Sequence, residues 1–365
     1  MNVAIIILFI LLVGILLCAY KWKKMEFYTS KNETPMIDVV ITWVDGNQKK
    51  FVEEVNSYGK KYQLDRFYQN QELKYCLRSI ELNMTFIRKI FIVIREDHQP
   101  DFLKPSHYQL EFITHKMIIP SRFLPTFNSI VIENFIHKIP GLSEHFIYFN
   151  DDMIVLKETK VSDFFDYNFN PIQSKDENKI ITLTTSYNFW TKNKKSMVEP
   201  LKVDNFNRPF ALKELIDHNN EIIDLVFQKE TRYRSQHVPY SCRKSYMNQL
   251  DEFLKSLKLM DKTMYEHSGI YKFRDLKSIA RFSLFKKYWD IYMNDCLEKE
   301  FSLLSIIIND KVDKTKEIQA LSDPKFQFFV IHNEVQEMNE IAKKNFLEVN
   351  NKLDILFPFK STFEN

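Results

Sequence analysis

Runs of β-branched residues alternate with amphipathic stretches along the first half of this chain. Ile37–Val44 (IDVVITWV) reads as a buried strand closed by Asp45-Gly46. Gln71–Leu82 places Leu73, Leu77 and Ile80 on one helical face. Lys89–Ile94 (KIFIVI) is a second strand, and strand, helix, strand at this spacing predicts a parallel sheet with helices outside it. Leu110–Ile113 and His145–Phe149 add further strands, joined by an amphipathic segment, Ser129–Ile139, that turns at Pro140-Gly141. Beyond Phe165 the pattern weakens to a polar loop over 168–178 and a strand at Lys179–Thr184. Helical patterns follow at 211–228, 243–258 and 275–295, then a last strand at Phe326–Ile331 and a helix near 338–353. The predicted class is α/β, a mainly parallel sheet flanked by helices, with a helical subregion over 205–300.

Val3–Tyr20 is almost unbroken apolar sequence, close to the length of about 20 residues that spans a bilayer. A cleaved signal peptide competes with this reading, but there is no positive n-region and no Ala-x-Ala-like site. The expectation is a single-pass anchor over 1–20, a polar tether over 21–36 and a catalytic domain over 37–365. Lys21, Lys23 and Lys24 flank only the C-terminal side, which predicts that the domain faces the cytoplasm. A chain of 365 residues, 45% hydrophobic, can bury a full core, in one large domain or two coupled ones. A net charge of +3 without a long basic run excludes nucleic acid as the expected partner. Cys18 lies in the apolar run, and Cys76, Cys242 and Cys296 form no CxxC pair, so no disulfide framework is predicted.

The chemistry concentrates at the end of the strand His145–Phe149, which runs into Asn150-Asp151-Asp152. A strand delivering adjacent carboxylates to its C-terminal end is an arrangement in which α/β enzymes bind a divalent metal and a diphosphate. A solvated acidic turn would look the same in isolation. The surrounding string is longer than that turn: LPTFNS, then Ile132-Glu133, then IPGLSEHFIYFNDDM. It resembles the second conserved region of the Stealth family, the sugar-1-phosphate transferases of capsular polysaccharide synthesis and lysosomal-enzyme tagging. Three other blocks resemble the family in the same order: IDVVITWVDG at 37–46, QHVPYS at 236–241 reaching FRD at 273–275, and 325–364 ending in FPFKSTFE.

The resemblance implies a Rossmann-like or glycosyltransferase-A-like fold and transfer of a sugar phosphate from a nucleotide-sugar donor to a hydroxyl of a glycan acceptor. The acceptor would attack the β-phosphorus and a nucleoside monophosphate would leave. Such a reaction gathers negative charge on phosphoryl oxygens, so it needs positioned cations, a metal and a base near the hydroxyl. Mg2+ or Mn2+ is the expected cofactor. Asp151 and Asp152 are the candidate metal carboxylates, with Asp152 preferred for catalysis. Adjacent residues of an extended chain point to opposite sides, so the two are not expected to share one task. Asn150 supplies a further oxygen. His237, in the family-like His-x-Pro, is the candidate base or a proton relay with a carboxylate. Arg66, Arg78, Arg208 and Arg274 are candidate phosphate clamps, although each alone reads equally as a surface ion pair. Asp45, Gly46, Glu72 and Asn128 fall in the matching blocks and are assigned, with Asn150, Arg66 and Arg78, to substrate binding. The fourth region departs from the family: Asn-Asp is usual after the strand, and this chain has His332-Asn333-Glu334, with Glu334 as the replacement metal ligand.

Other classes remain open from sequence. An ordinary metal-dependent glycosyltransferase would use the same residue types, and a non-catalytic carbohydrate-binding protein would use the aromatic content of 15%. Among biological settings, capsule or exopolysaccharide synthesis at a bacterial membrane, beside other polysaccharide-synthesis enzymes, competes with modification of glycoprotein glycans in a secretory compartment.

Overall fold

Strand β1, Ile37–Thr42, is buried along nearly its whole length because it lies in the middle of a sheet with both faces covered. The computed structural model describes residues 35–96, 98–174, 236–256, 258–259, 262–274, 278 and 297–365. From β1 the chain forms helix α1 (Lys49–Ser57), the single turn α2 (Leu64–Phe67) and α3 (Glu72–Asn83), then returns as β2 (Ile87–Ile94), parallel to β1. Strand β3 (Leu110–Thr114) pairs parallel to β2. A short helix, α4 (Ser129–Glu133), precedes β4 (His145–Asn150), which pairs parallel to β1 on its other side. The chain then enters β5 (Met153–Val155). Strand β6 (Tyr240–Arg243) closes the sheet antiparallel to β4, giving the order β3-β2-β1-β4-β6, and leads into α5 (Lys244–Ser256). A second sheet is built from β7 (Leu303–Ile308) and β8 (Phe328–Asn333), parallel to each other, with β5 antiparallel to β8. Helix α6 (Glu340–Leu356) follows, its N-terminus capped by Asn339.

Alternation along the strands supplies two cores. Val39, Ile41, Ile92, Ile147 and Phe149 pack on the side of α3 and α6. Val40, Phe91, Val93, Phe146 and Tyr148 pack on the opposite side, with Phe135, Ile136 and α5 residues Met247, Leu250 and Leu254. The amphipathic stretch Ser129–Ile139 is not one helix: α4 stops at Glu133, and a separate 3-10 turn spans Ile136–Lys138. Strand β7 (LLSIII) escaped the sequence reading because it is short and half exposed.

Two buried ion pairs fasten this scaffold. Asp38 accepts from Arg88 at 2.8 and 2.5 Å and from the Ser143 backbone N–H at 2.7 Å. Arg78, on α3, donates to both oxygens of Glu364 at 2.7 Å and to the Phe357 carbonyl at 2.8 Å, clipping the C-terminal segment onto the helix. Gly46 is forced by packing: a Cβ there would stand 1.8 Å from the Phe67 carbonyl oxygen.

The expectation of a single-pass membrane protein is corrected. Among the described residues no helix is long and apolar enough to cross a membrane. Residues 1–34, where the anchor and most of the tether were expected, lie outside the described residues. So do the strand predicted at Lys179–Thr184, the helix predicted at 211–228, and most of 275–295.

Arg78 is fully committed to Glu364, so Arg78→Ala leaves a buried carboxylate without its partner. Urea unfolding should show a loss of about 3 kcal/mol, with nucleotide-sugar affinity of the folded fraction unchanged. Lost affinity at unchanged stability would return Arg78 to the ligand site.

Candidate active site

The site forms where the chain leaves one sheet for the other. Strand β4 ends at Asn150, and Asp151-Asp152 makes the turn into β5. Antiparallel pairing of β5 with β8 continues through Ile331 N–H to the Asp152 carbonyl at 3.4 Å, which sets His332 beside the turn. His237 arrives from the other flank, just ahead of β6, whose partner is β4. Asp152, His237 and His332 each point one donor atom inward, all within 4.8 Å of one another. His237 Nε2 lies 3.5 Å from Asp152 Oδ1 and 3.4 Å from Asn150 Nδ2, and the two imidazole centroids are 5.3 Å apart. Asp152 Oδ1 is buried with no hydrogen-bond partner among the described residues. Burial alone would lower the His237 pKa, but Asp152, with Glu133 behind it, holds it above its ordinary value.

Asp151 is braced on the other side of the turn. Gln69 Nε2 donates to its Oδ2 at 2.9 Å, and Trp43 Nε1 donates to the Gln69 side chain at 2.9 Å. Asn47 ties to the Gln69 backbone at 2.9 and 3.3 Å, and Asp45 holds the Asn47 N–H at 3.0 Å. The Trp43–Asn47 loop after β1 therefore reaches Asp151 through Gln69. Gln71 adopts left-handed backbone (φ 66°), a conformation that costs about 1–3 kcal/mol in a non-glycine residue. It turns the chain so that Gln69 and Glu72 both approach the acidic turn. Burial, followed by the charge of Asp152, pushes the Asp151 carboxyl up to about 7. Burial and Asp151 push Glu72 up to about 8, against its hydrogen bond from the Asn70 N–H at 2.5 Å.

Cations occupy the facing wall. Arg66 on α2 is lowered to about 9 by burial and by the neighbouring Arg274. Arg274 is lowered by burial, against the attraction of Glu133 and Asp65. It donates to Ser129 Oγ at 3.0 Å, while its Nε is buried without a hydrogen-bond partner among the described residues. Glu133, the last residue of α4, is raised by burial despite Arg274 and His237 and despite hydrogen bonds with Tyr148 and Ser129. The Tyr148 hydroxyl also meets Thr42 Oγ1 at 2.8 Å. Asn128 places this wall: its Oδ1 caps α4 at Ile130 N, and its Nδ2 donates to Tyr271 O, Phe273 O and Ser278 Oγ, each at 3.1 Å. Its amide is thus spent on holding the segment that carries Arg274.

Asp151, Asp152, Asn150, Glu72, His237, Arg66 and Arg274 come together around one site, and Asp45 joins them indirectly. Four other candidates are placed differently. Arg78 is locked to Glu364 at the C-terminus. Asn128 is buried and positions backbone, not substrate. Gly46 makes its close approach to Phe67, not to a ligand. Glu334 is exposed just past β8, its N–H bonded to Ile308 O, and the fourth-region side chain in the cluster is His332. Arg208 lies outside the described residues. Sequence reading missed Glu133, Gln69, Tyr148 and His332. Only Glu133 left a signal, as the lone acid in the amphipathic run SIVIENFIHKI.

The fold is a mainly parallel α/β sheet that gathers carboxylates, imidazoles and two guanidiniums near the ends of its strands. The Stealth protein conserved region 1 model matches residues 35–63, and the conserved region 2 model matches residues 66–173. Over those residues the chain matches the first two conserved regions of the Stealth family. It is 43% identical over 152 residues to a capsular polysaccharide phosphotransferase of Haemophilus influenzae, covering 39% of this chain and 41% of that protein. It is 32% identical over 222 residues to an exopolysaccharide phosphotransferase of Lactiplantibacillus plantarum, covering 57% and 64%. The chain thus spans less than half the length of the first relative and under two thirds of the second. A galactosyltransferase, LgtC, solved with donor and acceptor sugar analogues, superimposes over 87% of this chain and 95% of its own at 9% identity, with a TM-score of 0.37.

Because Glu72 is neutral when folded but ionises near 4.5 when unfolded, its contribution to stability is fully present below pH 4.5 and lost as pH rises towards about 8. Glu72→Gln keeps an acceptor for Asn70 without the ionisation. In metal-free buffer the variant should match the parent at pH 4.5 and exceed it by at least about 1 kcal/mol at pH 8. Parallel stability curves across that range would show that Glu72 is not held neutral.

Proposed function

We propose that this protein transfers a sugar 1-phosphate from a nucleotide-sugar to a glycan hydroxyl, forming phosphodiester linkages in a capsular or exopolysaccharide. The observation that carries this reading is the pair of part-buried guanidiniums, Arg66 and Arg274, close enough that Arg274 depresses Arg66, with Glu133 and His237 beside Arg274 and Asp152 beside His237. Two like charges held together call for a polyanion, and the planar forks match phosphoryl oxygens. The relatives named as capsular and exopolysaccharide phosphotransferases support the same substrate class.

In this reading Arg66 and Arg274 hold the diphosphate and take up the negative charge that grows on its oxygens as the bond to the leaving phosphate lengthens. Arg274 is kept in place by Ser129 and by the Asn128 clasp on its loop. The attacking hydroxyl gives its proton to Glu133, whose carboxyl is raised above the ordinary carboxylate range by burial. Asp152, with the two imidazoles beside it, is the group that would hold a divalent cation, and the orphaned Oδ1 fits that use. Such an ion supplies positive charge to the diphosphate oxygens.

The deciding experiment incubates the protein with a panel of UDP-sugars and an oligosaccharide acceptor. Release of UMP with a phosphodiester product is expected. Release of UDP with a glycosidic product would make it an ordinary glycosyltransferase, and release of neither would remove the transferase reading. Arg274→Lys preserves charge but loses the fork, so turnover should fall by about tenfold or more at unchanged stability. Unaltered kinetics would place Arg274 outside the phosphate clamp.

A further inference from the structure

We infer that Asp152, His237 and His332 form a two-imidazole, one-carboxylate site for a transition-metal cation, selective for ions such as Mn2+, Co2+ or Zn2+ over Mg2+. The inference rests on reading this cluster as part of the transfer site, and it narrows the Mg2+ or Mn2+ expected from the sequence to the transition-metal side. Three features of the cluster point the same way. The first is the donor set. Mg2+ demands oxygen ligands in near-ideal octahedral geometry and binds through one or two carboxylates. Imidazole nitrogen suits the softer first-row ions, and two His with one carboxylate on one face of an open site is an arrangement those ions favour. Only one of the two adjacent aspartates is in the cluster, because Asp151 is turned away to Gln69.

The second feature is distance. An imidazole–carboxylate hydrogen bond that carries charge closes to about 2.7–2.9 Å. His237 Nε2 and Asp152 Oδ1 stand 3.5 Å apart instead. Two atoms each about 2.1 Å from one ion at a tetrahedral angle lie about 3.4 Å apart. The spacing matches two ligands of one ion and is long for the ion pair the two groups form. The full set, within 4.8 Å, closes onto one centre with side-chain shifts of under about 1 Å. The third is the buried Asp152 Oδ1 that lacks a close hydrogen-bond partner among the described residues and lies on the side of His237.

His332 replaces no acid in this scheme. It comes into the cluster because β8 pairs antiparallel with β5, which begins immediately after Asp152. Glu334, two residues on, has left the strand and is exposed. A consequence follows for the proton. Nε2 of His237 cannot both bind the cation and accept a proton, so the acceptor hydroxyl's proton moves to the Glu133 carboxylate.

The test strips the full-length protein of metal and titrates it with CoCl2. Imidazole-bound Co2+ should give visible absorption bands at one equivalent, abolished by equimolar ZnCl2 and unaffected by a large excess of MgCl2. Disruption of the outer partners of metal ligands alone costs about 10–100-fold in affinity, so His332→Gln should weaken Co2+ binding by more than about a hundredfold. Arg274→Lys, a change outside the cluster, should leave the Co2+ titration as in the parent. Displacement of Co2+ by Mg2+, absence of the bands, or an unchanged titration in a folded His332→Gln variant would each overturn the inference. If His332→Gln fails to fold, the Mg2+ competition on the parent protein still decides. Cobalt binding is read without any sugar donor. Intact Co2+ binding without UMP release would therefore sink the transferase reading alone, and UMP release without Co2+ binding would sink this site alone.

Discussion

The turn at Asp151-Asp152 is the constraint on which the rest of this structure depends. It is the point where the chain passes from a mainly parallel five-stranded sheet into a separate three-stranded one, with no residue between the two strands other than the aspartates. Parallel pairing of β4 with β1 fixes where the turn begins. Antiparallel pairing of β5 with β8 fixes where it goes. Because the two partners lie on different sheets, side chains from the ends of both converge on one pair of carboxylates. A slip of one residue in either ladder would turn the alternating side chains to the opposite face and remove the convergence.

The electrostatics of the site follow from this crowding. Glu72, Asp151 and Asp152 are close enough that burial and mutual repulsion lift Glu72 and Asp151 far above ordinary carboxylates. Arg66 and Arg274 are displaced in the opposite sense on the facing wall. Each displacement measures how poorly the group is compensated by the protein itself. One ligand assembly relieves both: an anion against the arginines together with a cation against the carboxylates. A nucleotide-sugar diphosphate with a divalent metal has that polarity, whereas a neutral glycan alone would relieve neither.

The parts of this site that sequence reveals are those set by local pattern. β1, α3, β2 and β4 were legible because strands covered on both faces read as unbroken apolar runs, and the acidic turn was legible because it directly follows such a run. The parts that stayed hidden depend on partners far away in the chain. Arg78 and Arg66 are equivalent as sequence, twelve residues apart by their numbering. Only Glu364, 286 positions from Arg78, takes one of them out of the site. Asn128 could have bound a ligand until its amide was seen to be spent on residues 271–278. His332 carries no local signature, because the pairing of β5 with β8 that brings it to the site joins segments far apart in the chain.

The charged groups of the site are less fully hydrogen-bonded than the ion pairs that fasten the scaffold. Asp38 and Arg78 are buried, and each finds three hydrogen bonds within the protein. Asp152 Oδ1 and Arg274 Nε are also buried and find none among the described residues. An unsatisfied buried polar atom costs about 1–3 kcal/mol, more if charged, so two in one site would be selected against if they served only the fold. One is acidic and one basic, and each is positioned by neighbouring backbone and side chains. Asn128 holds the Arg274 segment, and the two strand ladders hold Asp152. The protein therefore keeps its reactive groups short of partners while leaving them little freedom to move, which is how preorganised charge acts on a bound diphosphate without first rearranging.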